Sequence, residues 1–106
     1  MKYKFYVFVP DDEDLINSVI KAASGAGAGI MGKYTQCAFT QKGQGRWKSD
    51  LNAKPFIGKP GEVTRANEVK IEMECPKEKA KLVKEAITKV HPYEEVVIDF
   101  VKLEDI

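Results

Sequence analysis

The chain has 106 residues, 43% of them hydrophobic, which suits a single domain spanning residues 1–106 around one core. Its 17 Lys and Arg nearly balance 16 Asp and Glu, and a formal charge of +1 argues against nucleic acid or an anionic membrane surface as partner. No apolar run approaches the roughly 20 residues of a membrane span, and the first residues lack the long apolar region and cleavage site of a signal peptide.

Residues 2 to 9 read as a strand, with Tyr3, Phe5, Val7 and Val9 alternating with Lys2, Lys4, Tyr6 and Phe8. Pro10 ends it. Asp11 or Asp12 can cap a following helix, and the acidic cluster Asp11 to Asp14 suits its positive N-terminus. Leu15, Ile16, Val19, Ile20 and Ala23 form one apolar stripe, and Ser24-Gly25 closes the helix.

Gly25 to Gly32 is a tightly turning link, and Tyr34 to Gln41 is expected to be the second strand. Residues 42 to 66, rich in Gly and Pro, read as a long connection of the kind used for function or assembly. Within it, Pro60-Gly61 suits a type II turn. Val69, Ile71, Met73 and Cys75 alternate with Lys70, Glu72 and Glu74, giving a third strand with one buried face. Pro76 suits the first turn of the next helix, whose stripe is Ala80, Leu82, Val83, Ala86, Ile87 and Val90. Pro92 stops that helix near Val90, and Val96 to Leu103 supplies the fourth strand. The order is that of an α+β, ferredoxin-like βαββαβ sandwich: a four-stranded antiparallel sheet with both helices on one face.

Gly27-Ala28-Gly29-Ile30-Met31-Gly32 spells G-x-G-x-x-G, but it follows a helix and precedes a strand, the reverse of a dinucleotide site. Tyr34 stands where a P-loop needs Ser or Thr. A structural turn is favoured over an anion-binding nest. His91, the single histidine, can complement the carbonyls ending its helix. Alternatively, with Glu94 or Glu95, it can hold a divalent metal or polarise a ligand; too few ligands stand nearby for a complete zinc set. Cys37 and Cys75 have no CxxC spacing, fit a reducing cytoplasm and look buried and inert. Trp47, in the polar connection beside Arg46 and Lys48, is either a partner contact or packed within the domain.

One further feature is the string Gly27 to Tyr34 with Cys37 and Phe39, followed by Gly43, Gly45 and Pro55-Phe56-Ile57-Gly58. Lys70-Ile71-Glu72 and His91-Pro92-Tyr93-Glu94-Glu95 with Asp99 continue it. Together these residues resemble the CutA-like, PII-like domain inserted in many bacterial members of the NIF-three (NGG-one-interacting factor three) family. The resemblance implies a ferredoxin-like homotrimer with clefts between subunits, and a long hairpin over residues 42 to 66. It carries over no metal centre, because the family's metal ligands lie in the lobes flanking the insert.

No catalytic constellation is visible, and an enzyme is not expected. The expected function is a cytoplasmic binding or regulatory module, with Tyr34, Cys37, His91 and Glu94 as ligand residues at a subunit interface. A divalent metal on His91 and Glu94 is the cofactor considered. The alternative is a protein-interaction domain using the 42–66 connection and Trp47.

Overall fold

A computed structural model describes all 106 residues, Met1–Ile106. Strand β1 (Lys2–Pro10) leads into helix α1 (Glu13–Gly25), then strands β2 (Phe39–Lys48) and β3 (Val63–Pro76). A 3-10 turn, Lys77–Lys79, precedes helix α2 (Ala80–Val90), and strand β4 (Ile98–Lys102) closes the chain. The sheet order is β2-β3-β1-β4, antiparallel throughout, which is the expected ferredoxin-like arrangement.

The alternation in β1 and β3 decides which face is covered. Phe5, Val7 and Val9 stand opposite Met73, Ile71 and Val69, and all six are buried under the helices. Helix α1 adds Val19 and Ala23, and α2 adds Val83 and Ile87. Each fully buried aliphatic or aromatic side chain contributes about 1.5–3 kcal/mol relative to exposure, so this layer holds the domain together. Asp12 starts α1 by accepting the Leu15 N–H at 3.1 Å, with Glu13 and Asp14 complementing the positive end of the helix.

The β2–β3 pair outruns the rest of the sheet. Pairing of β1 with β3 ends at Pro10 opposite Glu68, whereas β2 stays paired with β3 to Lys48 opposite Val63. The excess is a two-stranded arm, and it makes the molecule elongated, 45 × 24 × 23 Å. The implied hairpin is therefore present.

Several element boundaries differ from expectation. The second strand begins at Phe39, not Tyr34, because Gly29, Gly32 and Gln36 take positive φ values that break any extended run before it. Much of the expected 42–66 connection is strand, so Trp47 stands on β2, and the connecting loop is 49–62. Pro76 ends β3 and caps the 3-10 turn that leads into α2, one position before the first helical turn, and β4 is shorter than residues 96 to 103. Cys37 lies in the loop before β2 and is half-buried, not on a buried strand face; Cys75 is buried as expected. Gly61 takes φ +80°, as the Pro60-Gly61 turn requires.

Candidate functional site

Helix α2 ends at Val90 and hands the chain to His91-Pro92-Tyr93-Glu94-Glu95, which crosses the end of β1 and reaches the base of the arm. His91 is 7% exposed. Its Nε2 lies 2.7 Å from the Phe8 carbonyl oxygen, and its Nδ1 accepts the Tyr93 N–H at 3.1 Å. A carbonyl can only accept and an N–H can only donate, so the ring is neutral with its proton on Nε2. Both nitrogens are spent inside the fold. Burial lowers the His91 pKa below its ordinary value, outweighing the Phe8 hydrogen bond and the Glu68 charge, which act the other way.

Tyr93 then turns onto the arm. Its hydroxyl donates to Glu68 Oε2, and Glu68 is only 8% exposed. Burial, followed by the hydrogen bond and charge of Glu68, pushes the phenol pKa up. The ring packs against His91, Trp47 and Phe56, with centroids 4.7, 5.9 and 6.4 Å away. Gly45 of β2 leaves room for the carboxylate, since a Cβ there would lie 1.7 Å from Glu68 Oε1. Next along the motif, Glu94 Oε1 accepts the Lys54 N–H at 3.0 Å and ties down the 49–62 loop. His91, Tyr93 and Glu94 thus form a clasp joining the end of α2, strand β1, the base of the arm and the 49–62 loop.

The other two expected ligand residues lie elsewhere. Tyr34 is 75% exposed and closes a turn with Met31 through two 2.9 Å backbone hydrogen bonds. Cys37 donates its N–H to the Gly29 carbonyl, and the Gly29 N–H reaches Glu74 of β3. Glu74 is six residues from Glu68 on one strand, a separation of about 20 Å. One chain therefore does not bring Tyr34 and Cys37 together with His91 and Glu94, and no group of three His, Cys, Asp or Glu converges. The glycine string is a helix-ending turn: the N–H groups of Gly27, Ala28 and Gly29 donate to Ser24, Ala23 and Glu74.

Glu68, Gly45, Phe56 and Tyr93 were not singled out from the sequence as members of this cluster. Glu68 falls on the nominally wet side of β3, and nothing in its neighbours signals burial. The small residue Gly45 was the available clue, but its pairing partner cannot be read without the register.

No family model matches the chain. The GTP cyclohydrolase 1 type 2 homolog of Bacillus subtilis is 43% identical over 101 residues, 95% of this chain and 26% of that protein. Its Listeria monocytogenes counterpart is 40% identical over 102 residues, 95% of this chain and 27% of that protein. The chain spans about a quarter of the length of these curated relatives. A Bacillus cereus protein related to NIF3 superposes with a TM-score of 0.82 at 34% identity, covering 98% of this chain and 26% of that one. The periplasmic divalent cation tolerance protein CutA of Archaeoglobus fulgidus gives a TM-score of 0.73 at 15% identity, over 99% and 86% of the two chains. The chain is therefore similar to one segment of NIF3-related proteins, and it has the CutA fold, as its residues indicated. No helix is long and apolar enough to cross a membrane.

Proposed function

We propose that this chain is a cytoplasmic binding and regulatory module that assembles with copies of itself, as a trimer, through the uncovered face of its sheet. The carrying observation is that face. Both helices lie on one side, and the register puts Tyr6, Phe8, Phe39 and Val101 on the other. Phe8, Phe39 and Val101 are 40%, 63% and 48% exposed among Lys4, Lys70, Glu72 and Glu74, a mixed surface whose apolar part a second copy would remove from water. The CutA-like fold supports the same reading, and unpaired Cys37 and Cys75 fit a reducing compartment.

In this assembly the accessible half of a ligand site is Tyr34 and Cys37, at the edge of the packing face. His91 and Glu94 shape the site through the clasp, since both His91 nitrogens and Glu94 Oε1 already have partners. A divalent metal would need ligands from two copies. The cyclohydrolase activity is named for relatives of which this chain spans about a quarter.

Size-exclusion chromatography with light scattering tests the reading. Phe8→Asp with Phe39→Asp is expected to convert assembled protein to monomer without loss of helix content; an unchanged mass would contradict the packing face. Repeating the run with zinc or magnesium tests a shared metal, which would tighten the wild-type assembly.

A second reading has its own observation. Leu51 and Phe56 are exposed on the arm's loop beside Trp47, a surface suited to a protein partner. Leu51→Ser is then expected to leave the assembly intact while removing a co-purifying partner.

A further inference from the structure

A cleft of about 430 Å³ opens where the first turn of α2 passes over the edge of the sheet at β4. Its floor is aromatic: Tyr3 and Phe100 meet edge to face with centroids 6.2 Å apart. Its roof is Ala80, whose small side chain leaves the space open. Its rim is cationic. Lys81 and Lys84 lie three residues apart on one face of α2, and Lys102 stands opposite Tyr3 across the β1–β4 ladder. None of the three lysines joins an ion pair; the ion pairs of the chain involve Lys4 and Lys42.

Three unpaired ammonium groups around two rings form a site with a defined chemical preference. We infer that this cleft binds a small phosphorylated compound with a flat ring, the ring lying on Tyr3 and Phe100 and the phosphate held by Lys81, Lys84 and Lys102. A phosphate carries about −1.5 to −2 charges at neutral pH, which matches three cations better than a single carboxylate does. The volume falls in the usual range for small-molecule sites, about 300–1,000 Å³. Tyr3 and Phe100 belong to the helix side of the sheet, opposite Phe8 and Phe39, so this inference does not depend on the assembly proposed above.

The test is an NMR titration of the full chain with adenosine 5′-monophosphate as the probe, with adenosine and inorganic phosphate run separately. Expected is saturable binding with a Kd of about 1 mM or tighter, and shifts confined to Tyr3, Phe100 and the surrounding helix turn. Lys81→Ala with Lys84→Ala is expected to weaken binding by about tenfold or more, and these exposed positions leave the fold intact. Ala80→Leu, which fills the cleft without changing its charge, is expected to abolish binding. Non-saturating shifts scattered over all surface lysines would overturn the inference. So would inorganic phosphate or adenosine binding as tightly as the nucleotide, or a well-folded lysine variant binding as the wild type does.

Discussion

At the residue scale, His91 and Tyr93 convert a short surface motif into a structural joint. Tyr93→Phe keeps the ring among Trp47, Phe56 and His91 but leaves the buried Glu68 carboxylate without its hydroxyl donor. An unsatisfied buried group costs about 1–3 kcal/mol, and urea denaturation of Tyr93→Phe is expected to show a loss of that size. No loss would mean that Glu68 finds other partners at no cost. His91 adds a dependence on pH. Its folded pKa lies below the ordinary value near 6.5, so between those two values the unfolded chain binds more protons than the folded one. Its contribution to stability is complete above about pH 6.5 and declines as the pH falls toward the folded pKa, then levels off. Denaturation curves from pH 8 to pH 5.5 are expected to show this decline, and His91→Gln to flatten it. An equal slope in the variant would assign the effect to other groups. The sequence marks out His91, either as a complement to the carbonyls ending its helix or, with Glu94 or Glu95, as a ligand or metal residue. The partners of His91 and Glu94, the Phe8 carbonyl and the Lys54 N–H, are backbone atoms, which carry no residue signature.

At the scale of elements, the strands that face the core were the ones legible beforehand. Strand β1 and the Val69–Cys75 part of β3 have one face against the helices, and burial imposes alternation on their sequences. Strand β2 has no helix over it. Its residues are polar and mostly exposed, so its boundaries come from pairing with β3 and left no pattern in Phe39 to Lys48. The arm makes its own prediction through its glycines. Gly45→Ala drives a methyl group into Glu68 and is expected to cost about 1–3 kcal/mol by crowding. Gly43→Ala, on the same strand with nothing within 4 Å of the added carbon, is expected to change stability by less than about 0.5 kcal/mol. Thermal unfolding of the two variants side by side checks this; equal behaviour would remove Gly45 from the joint. Gly58 repeats the theme in the loop, where its φ of +89° and the closeness of Thr64 leave no place for a side chain.

At the scale of the whole molecule, one face of a twisted sheet lies under two helices and the other lies open. A chain of 106 residues can bury only part of its apolar surface alone, and Phe8, Phe39 and Val101 are among the side chains that remain outside. The arm extends that open face beyond the body and supplies a second edge along which copies can meet. The clasp built by His91, Tyr93 and Glu94 ties the base of the arm to its 49–62 loop, so the surface offered to another copy in the proposed assembly would be set before contact. Preset shape lowers the ordering cost of association. The proposed assembly would use the same register that forms the core, because residues excluded from one face are delivered to the other.

Native mass spectrometry of the purified chain at micromolar concentration tests that account most directly. A dominant species of three copies of the 11.9 kDa chain, lost in the Phe8→Asp, Phe39→Asp variant, is the predicted result. A wild-type monomer at all concentrations, with or without divalent metal, would contradict it.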